Sequence, residues 1–422
     1  MSALAALFFI GLLLLATPVA HALFVAGGAS MIASDKSYLL GQTIISLYDP
    51  TQSFPMLAIP FFILAGDLMM SGRFGEYLIS FTKLLVGRMK GGLSQVSVLG
   101  SLFFGGVSGS AVADASAVGN ALIPVQKKEN YPDGYSAAVN AASSTISVLI
   151  PPSIPLILYG LVTEASIPKL FLAGIVPGVM LTVSMFVLTY TIGRRLNLQR
   201  SPLPGGFSAF KSQLLHAFPA LLMPVLVVVM ARGGVVTPTE ISVFAVCYAL
   251  LVGFAIYRDL NFQIIARCIL TTGMMTGVIM MVIMGSSVLQ WILSAESVPE
   301  NLATWLLTTL ESPWLIILAM NLVMIMIGTF LDLPAAVLLL APIFLGVATQ
   351  VGLNEVQLGV MMVVNLAIGL YTPPVGTTLF VSVAIERVPM GKVVLYLMPF
   401  YLVALAVLGL VSYFPAVTTI FL

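Results

Sequence analysis

The sequence predicts an all-α membrane protein, an inverted repeat of two halves with about five spans and one re-entrant hairpin each. Three observations carry that expectation. Of 422 residues, 59% are hydrophobic and 8% charged, with a mean hydropathy of +1.10, whereas a soluble domain carries about 25% charged residues. Apolar runs recur at span length, without the ~10-residue alternation of a membrane barrel. Two pairs of interrupted apolar segments lie roughly 220 residues apart, Gly105–Asn120 with Asn140–Pro155 and Ile327–Val337 with Val364–Thr378.

In chain order, Ser2–Ala16 and Pro18–Ala33 are divided at Pro18 and read as two short spans or one long tilted helix. Ala20-His21-Ala22 resembles a leader cleavage site, but no Lys or Arg precedes Lys36, so a membrane helix that stays is expected. Phe54–Ser71 spans and carries Asp67; Arg73–Lys90 is amphipathic and suits the membrane surface. Gly92–Val107 and Ala111–Pro124 are arms of ~21–24 Å, too short to cross ~30 Å of hydrocarbon, so they read as a hairpin meeting at Ser108-Gly109-Ser110. Gly134–Leu161 is a span broken before Pro155, and Leu170–Ile192 crosses again. Arg194, Arg195, Arg200 and Lys211 follow in the longest polar connection.

The second half repeats the order. Ala217–Met230, Ile241–Ile256 and Ile269–Leu293 span, with Arg258–Arg267 as a surface element before the last. Pro313–Ile327 and Leu333–Val347 are arms meeting at Gly328-Thr329. Val356–Ile385 is broken at Pro373-Pro374, and Val393–Tyr413 crosses last. Gly109-Ser110…Asp114…Pro124 overlays Gly328-Thr329…Asp332…Pro342 with a one-residue shift. An odd number of spans per half turns the second half over. Fourteen of seventeen Lys and Arg then fall on one side, leaving Lys36, Lys169 and Arg232 on the other with Glu164, Glu240, Glu296, Glu300, Glu311 and Glu355. The positive-inside rule places both termini outside.

A helix that stops within the membrane leaves orphan carbonyls at one end and N–H groups at the other. The first suit a dehydrated Na⁺, the second a carboxylate. Ser108, Ser110, Asn140, Ser143, Ser144, Thr145 and Ser147 add oxygens in the first half, and Gly328, Thr329, Asn365, Thr372, Thr377 and Thr378 in the second. No arginine lies in a predicted span, so an anion would rely on helix ends, hydroxyls and amides. Small and hydroxyl residues also serve plain helix packing. Matching breaks in both halves go beyond packing and point to a binding site. Asp114 and Asp332 follow the tips, where each serves either a helix N-terminus or an ion site; Asp67 has no assigned role.

The segments GGVSGSAVADASAVG, LIPPSIPLILYG and YTPPVG together resemble the large membrane (M) subunit of tripartite ATP-independent periplasmic (TRAP) transporters. The resemblance spans essentially the whole chain. It implies a Na⁺-driven importer of an organic-acid anion (a sialic acid, a C4-dicarboxylate or similar), with a small four-helix membrane (Q) subunit and a periplasmic substrate-binding protein. It also implies an elevator, with a transport domain sliding on a scaffold in the membrane lipid. By motif it places one sodium site at Ser108, Ser147, Ile150 and Pro152 and another at Gly328, Gly369, Thr372 and Val375. The anion is expected near Ser110, Asn140, Ser144, Thr329 and Asn365. The implied division is scaffold and surface arm over 1–92 and the first hairpin and broken helix over 93–162. Closing helix, connection and second scaffold take 163–312, the second hairpin and broken helix 313–386, and the final helix 387–422.

Other classes fit less well. A net charge of +1 and the lack of basic runs with interleaved aromatics give no sign of nucleic-acid binding. Cys247 and Cys268 form no CxxC motif, so neither a disulfide nor a transition-metal site is expected. The 22 methionines suit adaptable packing. A carrier working without a binding protein stays open. An intramembrane hydrolase lacks its pattern: Leu64-Ala65-Gly66-Asp67 fails the GxGD signature, and His21 and His216 lie far from the motifs. No organic cofactor is expected.

Overall fold

The computed structural model describes residues 1–200, 207–234, 236–310 and 312–422, and no strand occurs among them. The first half contains α1 (Ser2–Leu14), α2 (Val19–Ala33), α3 (Leu40–Tyr48), α4 (Ala58–Met70) and α5 (Phe74–Val86). It continues with α6 (Gly92–Ser108), α7 (Ala111–Lys128), α8 (Tyr135–Ser143), α9 (Ile154–Thr163) and α10 (Ile167–Arg195). The second half contains α11 (Phe207–Gly233), α12 (Pro238–Leu251), α13 (Phe262–Ala295), α14 (Val298–Leu310) and α15 (Pro313–Gly328). It closes with α16 (Leu333–Gln350), α17 (Glu355–Gly369), α18 (Thr377–Glu386), α19 (Met390–Tyr413) and α20 (Ala416–Thr419).

Among the described residues six helices are individually long and apolar enough to cross a membrane, or seven if the bent pair at α4 and α5 is one span. The other expected spans are assembled from shorter pieces. Hydroxyl and amide caps set several starts, because the first N–H groups of a helix have no partner within it. Ser110 accepts from Ala113 N–H, Ser153 from Leu156, Asn261 from Ile264 and Asn354 from Val356, while Thr237 and Glu240 close a reciprocal capping box. Proline opens α9, α10, α12, α15 and α16, where its missing N–H costs nothing.

The N-terminal 33 residues take the first of the two forms expected, two helices packed on each other; the chain turns at Ala16, with φ of 58°, and restarts after Pro18. Several other boundaries differ from the sequence expectation. The segment Arg258–Arg267 is no separate surface element. After a short link the Asn261 cap starts α13, which takes Arg267 into a 34-residue helix. Helix α11 starts at Phe207, so Lys211 is helical. The helix α14 was not anticipated from the sequence. Glu311 and residues 201–206 of the polar connection lie outside the described residues. The amphipathic reading of α5 fits: it turns 69° from α4 and lays Phe74, Leu78 and Phe81 against α6 and α11.

Two layers result. Helices α2 and α13 pack together, as do α4 and α12, and α4 touches α13. Over the middle of α13, from Ile269 to Met281, the exposed side chains, Leu270, Met274, Met275 and Val278 among them, are apolar, as a lipid-facing surface requires. Inside lie α8, the tight turn 144–148 and Val356–Gly369 of α17, in which every residue is buried. The hairpins close over this centre crosswise. Helix α7 of the first packs on α18, beyond the second break, and α16 of the second packs on α9, beyond the first. Likewise α8 meets α19, and α17 meets α10.

Glu386, at the end of α18, fastens this cross-packing. Its carboxylate accepts from Gly134 N–H at 2.8 Å and Ala137 N–H at 2.7 Å, capping α8 where Gly134 offers no side chain of its own. Hydrogen bonds to a charged group are worth about 1.5–3 kcal/mol each. Glu386→Ala is therefore expected to destabilise the fold by about 3 kcal/mol, read as a lower melting temperature of the purified protein, with Glu386→Gln in between. An unchanged melting temperature for Glu386→Ala would show that α8 needs no cap from the other half.

Candidate functional site

Two junctions stand out, in each of which a hairpin tip is seated on a broken helix. At the first, α6 ends at Ser108 and Gly109 reverses the chain with φ of 58°, a conformation that suits glycine. Ser110 then caps α7, and its N–H lies 3.5 Å from the Ser108 hydroxyl. A methyl group on Gly109 would collide with the Pro152 carbonyl, and one on Gly105 with the Ser147 backbone. The tip is thus pressed against 147–152 at backbone distance. Ser147 is wholly buried and donates to Ser144 O at 2.6 Å. Ser153 holds the far side of the break, donating to Val148 O and capping α9. Gly105 and Gly109, on either side of Ser108, thus lie against Ser147 and Pro152, while Ile150 sends its side chain towards Gly178 of α10.

At the second, α15 ends at Gly328 and the tip spans 329–332. A methyl group on Gly369 would enter the Gly328 carbonyl. Beyond Gly369 the chain curls: Thr372 N–H donates to Gly369 O at 3.0 Å and the Thr372 hydroxyl to Ile368 O at 2.7 Å. Gly376 has φ of 32°, and a Cβ there would lie 2.9 Å from Thr372 O and 3.1 Å from Leu370 O. Two carbonyl oxygens thus converge on a small space that a side chain would fill, with Leu370 O already accepting from Thr378 N–H at 3.0 Å and from its hydroxyl at 2.9 Å. Gly328, Gly369 and Thr372 meet here. Val375 stands on the open side, 40% exposed. Both double prolines, 151–152 and 373–374, have cis peptide bonds.

The residues expected around the anion fall into two sets. Ser110 and Thr329 are at the tips, Thr329 donating to Met326 O. Asn140, Ser144 and Asn365 are wholly buried behind them. Asn140 ties three helices together, donating to Ala115 O at 2.8 Å and the Ser382 hydroxyl at 2.9 Å. Asn365 does the same in the other half, donating to Asn321 O at 3.0 Å and Asn321 Oδ1 at 2.8 Å, while Asn321 donates to Ser412. In both amides only Oδ1 lacks a partner. The structure thus uses their nitrogens to hold hairpins against broken helices. Sequence reading missed Asn321, Ser382 and Gly376; an asparagine amid the apolar residues of α15 was the available signal.

The two acids are not equivalent, contrary to the one-residue overlay. Asp114 is the fourth residue of α7 and Asp332 the residue before α16, because the second tip is longer than the first. Asp114 is wholly buried with neither oxygen hydrogen-bonded, whereas Asp332 is exposed. Asp67 accepts from Thr272 of α13 at 3.4 Å, a contact within the outer layer. Among the described residues no three His, Cys, Asp or Glu gather as a metal site, and both cysteines are free.

Comparison with known proteins agrees with this architecture. The family model described as "Tripartite ATP-independent periplasmic transporter, DctM component" matches residues 6–417. The chain is 44% identical to the uncharacterized protein y4mL of Sinorhizobium fredii, over 97% of this chain and 98% of that one. It is 36% identical to the sialic acid TRAP transporter large permease protein SiaM of Vibrio cholerae, over 97% and 95%. It is 35% identical to the C4-dicarboxylate TRAP transporter large permease protein DctM of Pseudomonas aeruginosa, over 89% and 87%. In fold it is similar to the YdaH transporter of Alcanivorax borkumensis, with a TM-score of 0.63, 14% identity and 98% of both chains covered.

The glycine contacts give unequal expectations. A methyl group on Gly369 meets backbone, which cannot move aside, whereas one on Gly328 meets first the end of the Leu366 side chain, at 3.0 Å. Gly369→Ala is expected to cost about 1–3 kcal/mol, and Gly328→Ala distinctly less. Melting temperatures of the two purified variants check this; equal losses would show that the tip is not seated against the break.

Proposed function

The chain belongs to the DctM family of large TRAP-transporter permeases, and we propose that it is the translocating subunit of a Na⁺-coupled importer of an organic-acid anion. It is a transporter subunit rather than an enzyme. One observation carries the reading: twice in the fold, a glycine-bearing hairpin tip meets a double-proline break at backbone distance, where carbonyls and hydroxyls gather. Such junctions offer oxygen ligands to a sodium ion on the carbonyl side and helix N-termini to a carboxylate on the other. Ser108, Ser147, Ile150 and Pro152 are proposed for one ion, and Gly328, Gly369, Thr372 and Val375 for the second. The relatives named for C4-dicarboxylates and sialic acid both handle carboxylates, which favours an organic acid here. Ser110 and Thr329 are its proposed contacts at the tips, with the buried amides of Asn140 and Asn365 positioning the walls.

The crosswise packing supports an inverted repeat. Exchanging the halves maps α7 against α18 onto α16 against α9, and α8 against α19 onto α17 against α10. It also maps α4 against α12 onto α13 against α2, and pairs α5 with α14 as the element before each hairpin. The reading further takes the outer layer of α2, α4, α12 and α13 as scaffold, with the hairpins and broken helices as the part that moves. A tripartite family implies two partners, taken to be a small membrane subunit and a periplasmic substrate-binding protein. The basic bias supports termini on the periplasmic side.

Reconstituted with both partners in liposomes, the complex is expected to accumulate an acidic substrate only with an inward sodium gradient and with the binding protein present. Ser108→Leu or Thr372→Leu is expected to reduce uptake to background while the chain still inserts. Uptake indifferent to sodium would end the coupling assignment, uptake without the binding protein would point to a stand-alone carrier, and wild-type rates in both variants would reduce these residues to packing. Tags at the two termini are expected to be labelled by a membrane-impermeant reagent in spheroplasts; labelling only after lysis would reverse the topology.

A further inference from the structure

Away from the junctions, the turn between α5 and α6 and the end of α10 enclose a cleft of about 390 Å³ lined by Arg88, Met89, Lys90, Tyr190, Arg194 and Arg200. Its walls are fixed by the backbone. Gly91 N–H donates to Gln199 O at 3.3 Å, and Gly193 packs against Lys90 O so closely that a Cβ there would come within 2.8 Å. The Lys90 ammonium donates to Asn197 Oδ1 at 2.9 Å, and the Arg194 guanidinium lies 5.8 Å from the centre of the Tyr190 ring. Three ion pairs occur among the described residues, and none includes Arg88, Lys90, Arg194 or Arg200. Among the described residues four cations thus share one concave site with no ion-paired partner, which leaves a local excess of positive potential.

We propose that this cleft binds the phosphodiester headgroup of an anionic phospholipid. Multiple N–H donors in a concave basic site suit phosphate oxygens, arginine above all because its fork matches them. A headgroup, rather than free phosphate, follows from what adjoins the cleft. Val179, Val183 and Val187 stand 44%, 56% and 57% exposed along one stripe of α10, leading towards Tyr190 and Arg194 at the helix end. Leu85, 44% exposed, stands just before Arg88 at the end of α5. A diacyl lipid would lie along the apolar stripe with its phosphate among the cations. This is also the end of the helices that carries most of the chain's Lys and Arg, the face that meets anionic lipid under the positive-inside rule. Its role would be to hold the α5–α6 turn against α10, beside the first hairpin, whichever cargo the protein carries.

The test uses the complex with its small subunit, delipidated in detergent and titrated with phosphatidylglycerol, cardiolipin or phosphatidylcholine, with retained lipid counted by native mass spectrometry. Wild type is expected to retain the anionic lipids and to release them as salt rises. The R88Q/R194Q/R200Q variant is expected to bind them at least roughly tenfold more weakly, and R88K/R194K/R200K to keep most of the binding. Inorganic phosphate alone is expected to leave the melting temperature where it was. Equal retention by wild type and the glutamine variant would overturn the proposal. So would a phosphate-induced shift matching that of lipid, which marks a free-anion site. Loss of the small subunit with lipid retained would assign the cations to a protein contact instead. Should the glutamine variant not fold, equal retention of phosphatidylcholine and phosphatidylglycerol by wild type would decide against the headgroup.

Discussion

A backbone carbonyl or N–H facing hydrocarbon without a partner costs several kcal/mol, and the rest of this fold follows from that constraint. A helix broken in mid-membrane is tolerable only if other parts of the chain seal it. Here the seal is a second broken element. The first break is covered by the tip at Gly109 and the second by the tip at Gly328. The contact must be at backbone distance, and so glycine occupies Gly105, Gly109 and Gly369, where a Cβ has no room. Neither hairpin nor break is stable in lipid alone, so within each half the two depend on each other.

This dependence reaches beyond the tips. Glu386 of the second half caps α8 of the first, and the Thr378 hydroxyl donates to Ala141 O at 3.1 Å as well as to Leu370 O at 2.9 Å within its own break. Tyr159 of α9 reaches α17, donating to Glu355 O at 2.7 Å. Contacts between halves thus use polar atoms that broken helices leave free, so they hold the inner layer as one unit. The outer layer carries fewer polar contacts. Within it, between α4 and α13, Thr272 donates to Asp67 at 3.4 Å and Cys268 to Ser71 at 3.5 Å, both long, and towards the second hairpin Gln290 of α13 donates to Leu338 O of α16 at 2.8 Å.

Much of this was legible in the sequence because hydrophobic length and helix interruption are local signals. Ser-Gly-Ser, the two double prolines and the short arms placed both hairpins and both breaks to within a few residues, and the motifs led to the right family. Relative register was not legible. The overlay of Asp114 on Asp332 failed because a tip of two residues and one of four look alike in apolar sequence. Nor could the sequence show that Asn140 and Asn365 turn their nitrogens into helix contacts, since a polar residue beside a break reads as a ligand whatever it touches. The surface element expected over Arg258–Arg267 failed for another reason: charge suggested a break, but the Asn261 cap lets a helix begin there and run on.

The inequality of the two junctions bears on how such a machine would work. The first lies deep: Ser147, Val148 and Ser153 are buried, and the tip is a tight reversal with Gly109 buried between half-buried Ser108 and Ser110. The second has a longer tip with Phe330 55% exposed, and a break whose Val375 stands open. Equal sequence motifs have therefore produced one junction fixed on all sides and one with an unobstructed flank. On the reading proposed above, a cation entering the open junction would add ligand bonds exactly where protein contacts are fewest, and so would change the local stability most. At the enclosed junction the same ion would replace contacts already made. On that reading sodium would order the second tip more than the first, and the second hairpin would be where ion binding and closure are most strongly linked.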